Sequence, residues 1–432
     1  MLKMRKKYGR IVIMVWMLLF TFQERLSKIS SAFSYIDEAP LALFVISSVM
    51  HALLMGKIKR NFKYSIAFIF FVGSGIVSNI VYHYQPLGLV VIDLIANLKF
   101  FCAISYFYGL INDSGSRDKY IPQLATVLSV ILAITFCIDR VINIFPGQYR
   151  FGIKSAALFY GHPTYLAGIC AFLIAILTVY DPQKYKIYIL FDLLMLMLTL
   201  RSKAIVSAIF FVMLYIFVKK LHCKLKIWQM AVGAVIAVIC AWSNIYFYFI
   251  KLGGHSARSV MLMTALRIMK DYFPIGTGFA CYASHSASAS VNYSPVYVKY
   301  GFDNVYELRN STIGTFFDDQ FWPIVFGQTG VIGTIGYIIL LFLLFVRIQK
   351  IYKINLNIYM SSLFIFIYLM ISSIAEPAFN NSISIPLAFT LAISFSKSDQ
   401  RQNHIKIPND IRKSSPKPLN EIFKESVSEG ID

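Results

Sequence analysis

Long apolar runs alternate with short polar connections along most of the chain. About a dozen runs approach the ~20 mostly apolar residues that a helix needs to cross the hydrocarbon core of a bilayer. They lie near residues 11–24, 39–56, 64–82, 88–110, 122–139, 159–180, 187–200, 204–218, 228–250, 322–346, 357–375 and 380–396. The pattern predicts an all-α fold, a polytopic transmembrane helix bundle of about 12 spans.

The composition points the same way. Hydrophobic residues make up 57% of the 432 positions and charged residues 14%, against about 45–50% and about 25% in soluble domains. An ordinary soluble protein is therefore excluded. The six cysteines show no C-x-x-C spacing, so neither a disulfide framework nor a zinc site is indicated.

The formal charge of +20 would suggest a nucleic-acid partner in a soluble chain. Here 20 of the 41 Lys and Arg lie in the N-terminus and short connections on one side of the bundle, and the C-terminal tail on that side holds seven more. Cytoplasmic connections are the basic ones in membrane proteins. We therefore expect cytoplasmic termini, the lipid bilayer as a partner and no nucleic acid. The basic start also resembles a secretory signal, but no cleavage site follows, which favours an uncleaved anchor.

One polar segment, residues 251–321, is too long for a simple connector. It divides the chain into an N-terminal bundle of about nine spans (1–250), an extracytoplasmic loop with short helices (251–321) and C-terminal spans (322–396). The remaining residues, 397–432, are polar and rich in Pro, Ser and Lys. We predict a disordered cytoplasmic tail there.

Two arginines of the loop, Arg258 and Arg267, lie nine residues apart on a predicted helix. This spacing puts them on roughly opposite faces, so they are not expected to form a single clamp. Each guanidinium is suited to binding phosphate, or is a solvated surface arginine. A Gly-rich turn that contains Gly276 and Gly278 follows them.

Two adjacent carboxylates, Asp318 and Asp319, lead into the tenth apolar run. At the mouth of a helix bundle such a group can act as a general base. An Asp before a helix also commonly caps its free backbone N–H groups. The sequence leaves both uses open.

Three more candidates lie at predicted outer ends of helices. Arg201 and Lys203 either bind a diphosphate or anchor the chain at lipid head groups. His162, which follows Arg150 and Lys154, is either a proton-transfer group or a hydrogen-bonded residue at a helix end. Lys99, Asp192 and Glu376 are further polar positions with structural or functional uses.

The loop and its flanks resemble the O-antigen ligase and O-antigen/exopolysaccharide polymerase superfamily of bacterial membrane proteins. Arg267, ten residues and Gly278 fit the spacing of the polymerases. Ligases carry a His, a residue such as Gln, nine residues, Gly, two residues and Gly. Here Asp319-Gln320, nine residues, Gly330, two residues and Gly333 match except that Asp319 replaces the His. This departure favours a polymerase and leaves the identity of the base open.

The resemblance implies glycosyl transfer outside the bacterial cytoplasmic (inner) membrane, without a metal or cofactor. The donor would be a polyprenyl-diphosphate-linked glycan and the acceptor a glycan or lipid-linked molecule. Asp319 or Asp318 would accept the proton of the attacking hydroxyl. The diphosphate would be bound by Arg201, Arg258, Arg267 and Lys203, with motif or structural roles for Gly276, Gly278, Gly330, Gly333 and His162.

Several loop tyrosines are candidates for stacking on sugar rings or for ordinary packing, namely Tyr282, Tyr293, Tyr297, Tyr300 and Tyr306. We expect polymerisation of repeat units into O-antigen, capsule or exopolysaccharide, with a separate flippase and a chain-length regulator as partners. The alternatives are a ligase that moves finished glycan to a lipid A core or other acceptor, and a flippase or transporter. No P-loop, dinucleotide, HExxH or G-x-S-x-G motif supports another chemistry.

Overall fold

A computed structural model describes residues 2–55, 62–114, 119–150, 152–225, 229, 242, 246–287, 292–309, 317 and 319–413. Its helices are α1 (Leu2–Ile29), α2 (Ala39–Met55), α3 (Phe62–Tyr82), α4 (Leu87–Ser114), α5 (Tyr120–Ile142), α6 (Pro163–Tyr180), α7 (Lys186–Leu198), α8 (Ser202–Tyr215), α9 (Ala257–Asp271), α10 (Pro295–Lys299), α11 (Phe321–Ile351), α12 (Leu356–Ser372) and α13 (Ser384–Lys413). Two short antiparallel strands, β1 (Tyr149–Arg150) and β2 (Ile153–Lys154), form a hairpin.

The predicted all-α class is confirmed. Six helical segments within the described residues are long and apolar enough to cross a membrane. These segments are Tyr64–Tyr82, Leu87–Asp113, Tyr120–Ile142, Pro163–Tyr180, Ser202–Lys220 and Phe321–Ile351. Most of the ninth predicted span, 228–250, lies outside the described residues.

The exposed surface of α5 has the character of a lipid-facing helix. Large apolar side chains recur along one exposed face at Val127, Val130, Ile131, Ile134 and Ile138. The opposite face buries Leu128 and Leu132. Because a soluble protein rarely exposes a continuous apolar stripe of this length, α5 is typical of a membrane helix.

Helix α6 lies at the centre of the bundle. Its side chains from Leu166 to Val179 are all buried, as expected for a helix that is apolar on every face. It packs against α5, α7 and α12. The Ser361 hydroxyl of α12 donates to the carbonyl of Ala175 in α6 at 2.7 Å, which satisfies a polar group inside the bundle.

Helices α3 and α11 approach each other closely at Gly336. A Cβ atom there would lie 2.8 Å from both the carbonyl oxygen of Ala67 and the backbone nitrogen of Phe71. Small residues permit such contacts between membrane helices. Beside this contact, the rings of Phe71 and Tyr337 meet edge to face at 5.0 Å.

Part of the loop that the sequence places outside the bundle is buried within it. Thr277 and residues 279–284 are at most 2% exposed. We call residues 275–284 the inserted segment. It lies against α11 where Gly330 interrupts the helical backbone (φ 59°, ψ −154°). The tenth predicted span, near 322–346, is found as the helical segment Phe321–Ile351, and the irregular backbone at Gly330 lies within it.

The last helix continues to Lys413, whereas the sequence predicts an irregular tail from residue 397. The first residues of this segment make polar contacts with other helices. Asp399 pairs with Arg347 of α11 at 3.1 Å and accepts a hydrogen bond from the Tyr108 hydroxyl at 2.8 Å. Polar side chains thus continue the packing of α13 that its apolar residues begin.

Candidate functional site

His162 and Arg201 lie together at the starts of two helices. They are the N-cap residues of α6 and α8, respectively. Nη2 of Arg201 lies 3.0 Å from Nε2 of His162. Since a guanidinium only donates, Nε2 is the acceptor. In that neutral tautomer Nδ1 carries the ring proton, so the backbone N–H of Thr164, 3.4 Å from Nδ1, does not donate to it.

The surroundings of His162 favour its neutral form. Partial burial is the main cause, and the positive charges of Arg201, Lys203 and Arg150 add to it, so that the pKa of His162 falls to about 4. At neutral pH the ring is uncharged. It can therefore accept the hydrogen bond that orients Arg201.

The β-hairpin brings two polar residues to Arg201. Oε1 of Gln148 accepts a hydrogen bond from Nη2 of Arg201 at 3.2 Å. Burial, and then the positive charge of Arg150 in β1, lower the pKa of Arg201. The hairpin is fixed to the end of α5, because Nζ of Lys154 contacts the Asp139 carboxylate at 3.0 and 3.1 Å.

Nε of Arg201 is buried and has no hydrogen-bond partner within the part of the chain that the structure describes. A buried donor left unpaired costs about 1–3 kcal/mol. A phosphate oxygen at this position would accept from it. Guanidinium is well suited to this role because its planar fork can donate two parallel hydrogen bonds to one phosphate.

Lys203, in the first turn of α8, is ion-paired with Glu376 from the connection between α12 and α13. Both side chains are largely buried, at 8% and 11% exposed. Glu376 therefore balances the charge of Lys203. Its carboxylate is also close enough to act on Arg201.

An ion pair between Arg258 and Asp319 connects the start of α9 to the start of α11. Nη2 of Arg258 lies 3.5 Å from Oδ2 of Asp319. The N-cap residue of α11 is Gln320, whose side chain makes no cap hydrogen bond. The charge of Arg258 also acts on Arg201, which places both arginines in one group. Asp318 lies outside the described residues.

We call this group the cation cluster, and its members are Arg150, His162, Arg201, Lys203, Arg258, Asp319 and Glu376. With His162 neutral, its four cations exceed its two carboxylates by two charges. The N-termini of α6 and α8 meet there through the contact between His162 and Arg201. At the start of α9, Arg258 is close enough for its charge to act on Arg201, and the Glu307 carboxylate accepts from the N–H of Ala257 at 3.1 Å. Helix N-termini favour anions. The cluster is therefore suited to a multiply charged anion.

Arg267 occupies a different place. It lies nine residues after Arg258 on α9 and is exposed. The structure shows no contact between it and the cation cluster among the described residues. Only part of the predicted set of diphosphate-binding cations is thus brought together.

The motif glycines meet where the inserted segment packs on α11. A Cβ atom at Gly330 would lie 2.4 Å from the backbone nitrogen of Gly276. The backbone N–H of Gly278 donates to the carbonyl of Gln328 at 2.8 Å. Gly333, one turn later, has no room for a Cβ beside Ser74 of α3, which would lie 2.4 Å away. These four glycines permit close packing of backbones.

Two polar side chains from other helices satisfy the backbone of the inserted segment. Asn79 of α3 bonds both the carbonyl of Phe279, at 2.9 Å, and its N–H, at 2.8 Å. Asp93 of α4 accepts from the N–H of Ala280 at 2.9 Å and from the Ser284 hydroxyl. Irregular backbone is tolerated inside a membrane bundle when its polar groups are paired in this way.

Asp93 is not among the functional residues predicted from the sequence. It is a carboxylate in the middle of an apolar run, and intramembrane carboxylates generally have a specific partner or function. That signal was sufficient to select it. No sequence pattern singles out Gln148, an uncharged amide in a polar connection, or Asn79, an uncharged amide near the end of the run 64–82.

The loop tyrosines divide into buried and accessible residues. Tyr282 and Tyr297 are fully buried, and Tyr297 stacks on Phe317 at 4.1 Å. The use of these two residues for stacking on sugars is therefore excluded in this conformation. Tyr300 is partly exposed and Tyr306 is 84% exposed.

No protein-family model matches this chain, and no curated protein matches it either. Within the described ranges, no three His, Cys, Asp or Glu side chains are grouped so as to hold a metal ion.

Proposed function

We propose that this protein polymerises polyprenyl-diphosphate-linked oligosaccharide repeat units into a surface polysaccharide. The transfer takes place on the extracytoplasmic side of a bacterial cytoplasmic membrane and needs no metal. The observation that carries the proposal is the cation cluster, in which Arg201 and Arg258 lie at the N-termini of helices that start at the same end of the bundle.

The charge pattern of the sequence supports an extracytoplasmic cluster. In a bundle of about 12 spans with cytoplasmic termini, the connections before α6, α8 and α11 lie on the less basic side. Those connections carry His162, Arg201 and Asp319. A lipid-linked diphosphate at the outer face of the membrane would reach them.

Binding of the donor begins with its diphosphate. Arg201 presents a free buried Nε–H and an Nη2 oriented by Gln148 and His162. Arg258 supplies a second guanidinium. Fixed cations of this kind stabilise the charge that develops on a leaving diphosphate, and they require no reorganisation during the reaction.

The chemical step is a displacement at the anomeric carbon. A hydroxyl of the acceptor sugar attacks that carbon and forms the new glycosidic bond, while the bond from the carbon to the diphosphate oxygen breaks. Asp319 accepts the proton of the hydroxyl. The polyprenyl diphosphate leaves with the bonding electron pair, and an in-line attack inverts the anomeric configuration.

Asp319 stands where the resembling ligases carry a His, and this favours a polymerase. In a polymerase both donor and acceptor are lipid-linked repeat units, so the same cluster must accommodate one leaving diphosphate per transfer. A ligase would release the finished glycan onto a lipid acceptor instead. The two activities leave different products in cells.

Complementation of a deletion strain tests the proposal. Arg201→Ala should abolish long surface polysaccharide and leave single repeat units attached to their acceptor. The control is Arg347→Ala, which removes a partly exposed arginine at the other end of α11, outside the cation cluster, and should leave polymer intact. Bare acceptor with accumulated lipid-linked polymer would indicate a ligase. Normal polymer in Arg201→Ala cells contradicts the catalytic role.

A further inference from the structure

A group of tyrosines lies outside the cation cluster, at the far end of α9. Tyr82 and Tyr84 come from the end of α3 and the connection that follows, Tyr272 directly follows α9, and Tyr300 directly follows α10. Asp271 and Lys299 lie beside them. We call these six residues the tyrosine surface.

The rings of the tyrosine surface are packed in a fixed arrangement. Tyr82 and Tyr84 are stacked, with centroids 5.6 Å apart and an interplanar angle of 7°. Tyr272 meets both edge to face, at 5.0 and 6.2 Å. Tyr272 is buried, whereas Tyr82, Tyr84 and Tyr300 are partly exposed. The buried ring therefore supports accessible ones.

The hydroxyl and charged groups of this surface are also fixed. The hydroxyls of Tyr84 and Tyr272 lie 3.0 Å apart. Nζ of Lys299 donates to the Tyr272 hydroxyl at 2.9 Å, and the Tyr300 hydroxyl donates to Asp271 at 2.7 Å. Aromatic rings are thus interleaved with a carboxylate, an ammonium group and phenol oxygens.

Helix α9 sets the separation between the two sites. Arg258 is in its first turn and Tyr272 directly follows its last residue. At the rise of an α-helix, these positions are about 21 Å apart along the axis. A single sugar does not span this distance, but a short oligosaccharide does.

Tyrosines near a membrane surface often form an interfacial belt with the lipids. The tyrosine surface differs from a basic belt because the Asp271 carboxylate offsets the Lys299 ammonium, which leaves no net positive charge to attract anionic head groups. The exposed ammonium of Lys299 lies over the Tyr272 ring at 4.4 Å. Apolar ring faces beside fixed hydrogen-bonding groups match a sugar, whose C–H face packs on aromatics while its hydroxyls need polar partners.

We propose that the tyrosine surface is a subsite for the glycan, which holds sugars of the bound chain about one helix length from the diphosphate. This inference rests on the proposed function, because it takes the glycan to be the substrate. The subsite recognises sugars without the diphosphate. Its occupation keeps a growing chain near the cation cluster between transfers.

Binding of free oligosaccharides to the full-length protein in lipid nanodiscs tests this subsite. The probe is the set of oligosaccharides released by mild acid from the surface polysaccharide of the cell of origin, which carry no lipid and no diphosphate. Tyr300→Ala and Tyr84→Ala should each weaken binding about tenfold. Tyr300→Phe retains the ring and should bind more tightly than Tyr300→Ala.

Two control variants separate this proposal from the proposed function. Tyr8→Ala removes a 65% exposed tyrosine in the N-terminal part of α1, outside the tyrosine surface, and should not change binding. Arg201→Ala should also bind the free oligosaccharides normally, although it should form polymer at least about 100-fold more slowly. Polymer formation by Arg201→Ala at the wild-type rate would contradict the proposed function, whatever the tyrosine variants do.

Three results would overturn the subsite while leaving the polymerase proposal intact. The first is wild-type affinity in Tyr300→Ala and Tyr84→Ala. The second is no binding of the probe by the wild-type protein. The third is a smaller amount of variant protein in the membrane together with normal affinity for the probe. This result would identify the tyrosines as a lipid-facing belt. Unfolding temperatures of all variants check that the fold is retained.

Discussion

Nη2 of Arg258 lies 3.5 Å from Oδ2 of Asp319 and so connects the first turn of α9 to the residue two positions before α11. The two side chains are 34% and 38% exposed. Ion pairs with this exposure contribute only about 0–1 kcal/mol to stability. Changes at either residue should therefore affect activity far more than folding.

The proposed proton acceptor provides the first prediction. Asp319→Asn keeps the size of the side chain but removes the base, and should lower the rate of polymer formation about 100-fold or more. Asp399→Asn is the matched control, since Asp399 is a 41% exposed carboxylate paired with an arginine, and its activity should stay normal. A normal rate in Asp319→Asn, with a large loss in Asp318→Asn, would assign the base to Asp318.

The shape of the Arg201 side chain provides the second prediction. Lysine keeps the positive charge but cannot donate two parallel hydrogen bonds. Loss of one fixed hydrogen-bond donor to a developing anion lowers the rate about 100- to 1,000-fold. The rate of Arg201→Ala should fall by at least this factor, and the rate of Arg201→Lys should lie between those of Arg201→Ala and the wild type. Initial rates with purified lipid-linked donor measure this. Equal rates in the lysine and wild-type proteins would show that the fork is not used.

His162 gives a prediction about pH. The folded protein holds the pKa of this residue at about 4, whereas its ordinary value is 6.5. Between these values the unfolded chain binds the proton more readily, so stability falls as the pH drops from 6.5 towards about 4. His162→Gln removes this contribution. Its unfolding temperature in detergent should therefore fall less than that of the wild type over this interval, and parallel curves would contradict the assignment.

The contact between Gly330 and Gly276 gives a prediction about packing. Gly330→Ala places a methyl group 2.4 Å from the Gly276 nitrogen at a positive φ of 59°, and should destabilise the fold by about 1–3 kcal/mol. Gly109→Ala in α4 is the control, because nothing lies within 4 Å of its added Cβ. Unfolding in detergent should separate the two variants. An unchanged midpoint for Gly330→Ala would contradict the described packing.

Helix positions were largely predictable from the sequence. The predicted run at 64–82 corresponds to α3 at Phe62–Tyr82, and the run at 187–200 to α7 at Lys186–Leu198. Length and apolar content are local properties of a segment. The break at Gly330 is not local, because it accommodates the inserted segment. That segment is held in turn by a hydrogen bond from Ser78 to the carbonyl of Gly276, which is 198 residues away.

The residue types of the candidate site were predictable, but their partners were not. His162, Arg201 and Asp319 are polar groups near the ends of apolar runs, and Arg258 is a charged residue of the long polar loop, so all four are visible in the sequence. The pairing of Arg201 with His162 depends on which helix ends meet. The pairing of Lys203 with Glu376 also depends on which helix ends meet. No local sequence pattern predicts which helix ends meet.

The proposed function depends on catalysis of repeat-unit polymerisation by the cation cluster. The most direct measurement supplies the purified full-length protein with a polyprenyl-diphosphate-linked repeat unit as its only substrate and separates the products by size. Catalysis by the cation cluster predicts a ladder of longer lipid-linked chains from the wild type and from Arg347→Ala, and formation of that ladder at least about 100-fold more slowly by Arg201→Ala. An unchanged repeat unit with wild-type protein, or the same ladder at the wild-type rate from Arg201→Ala, would contradict it.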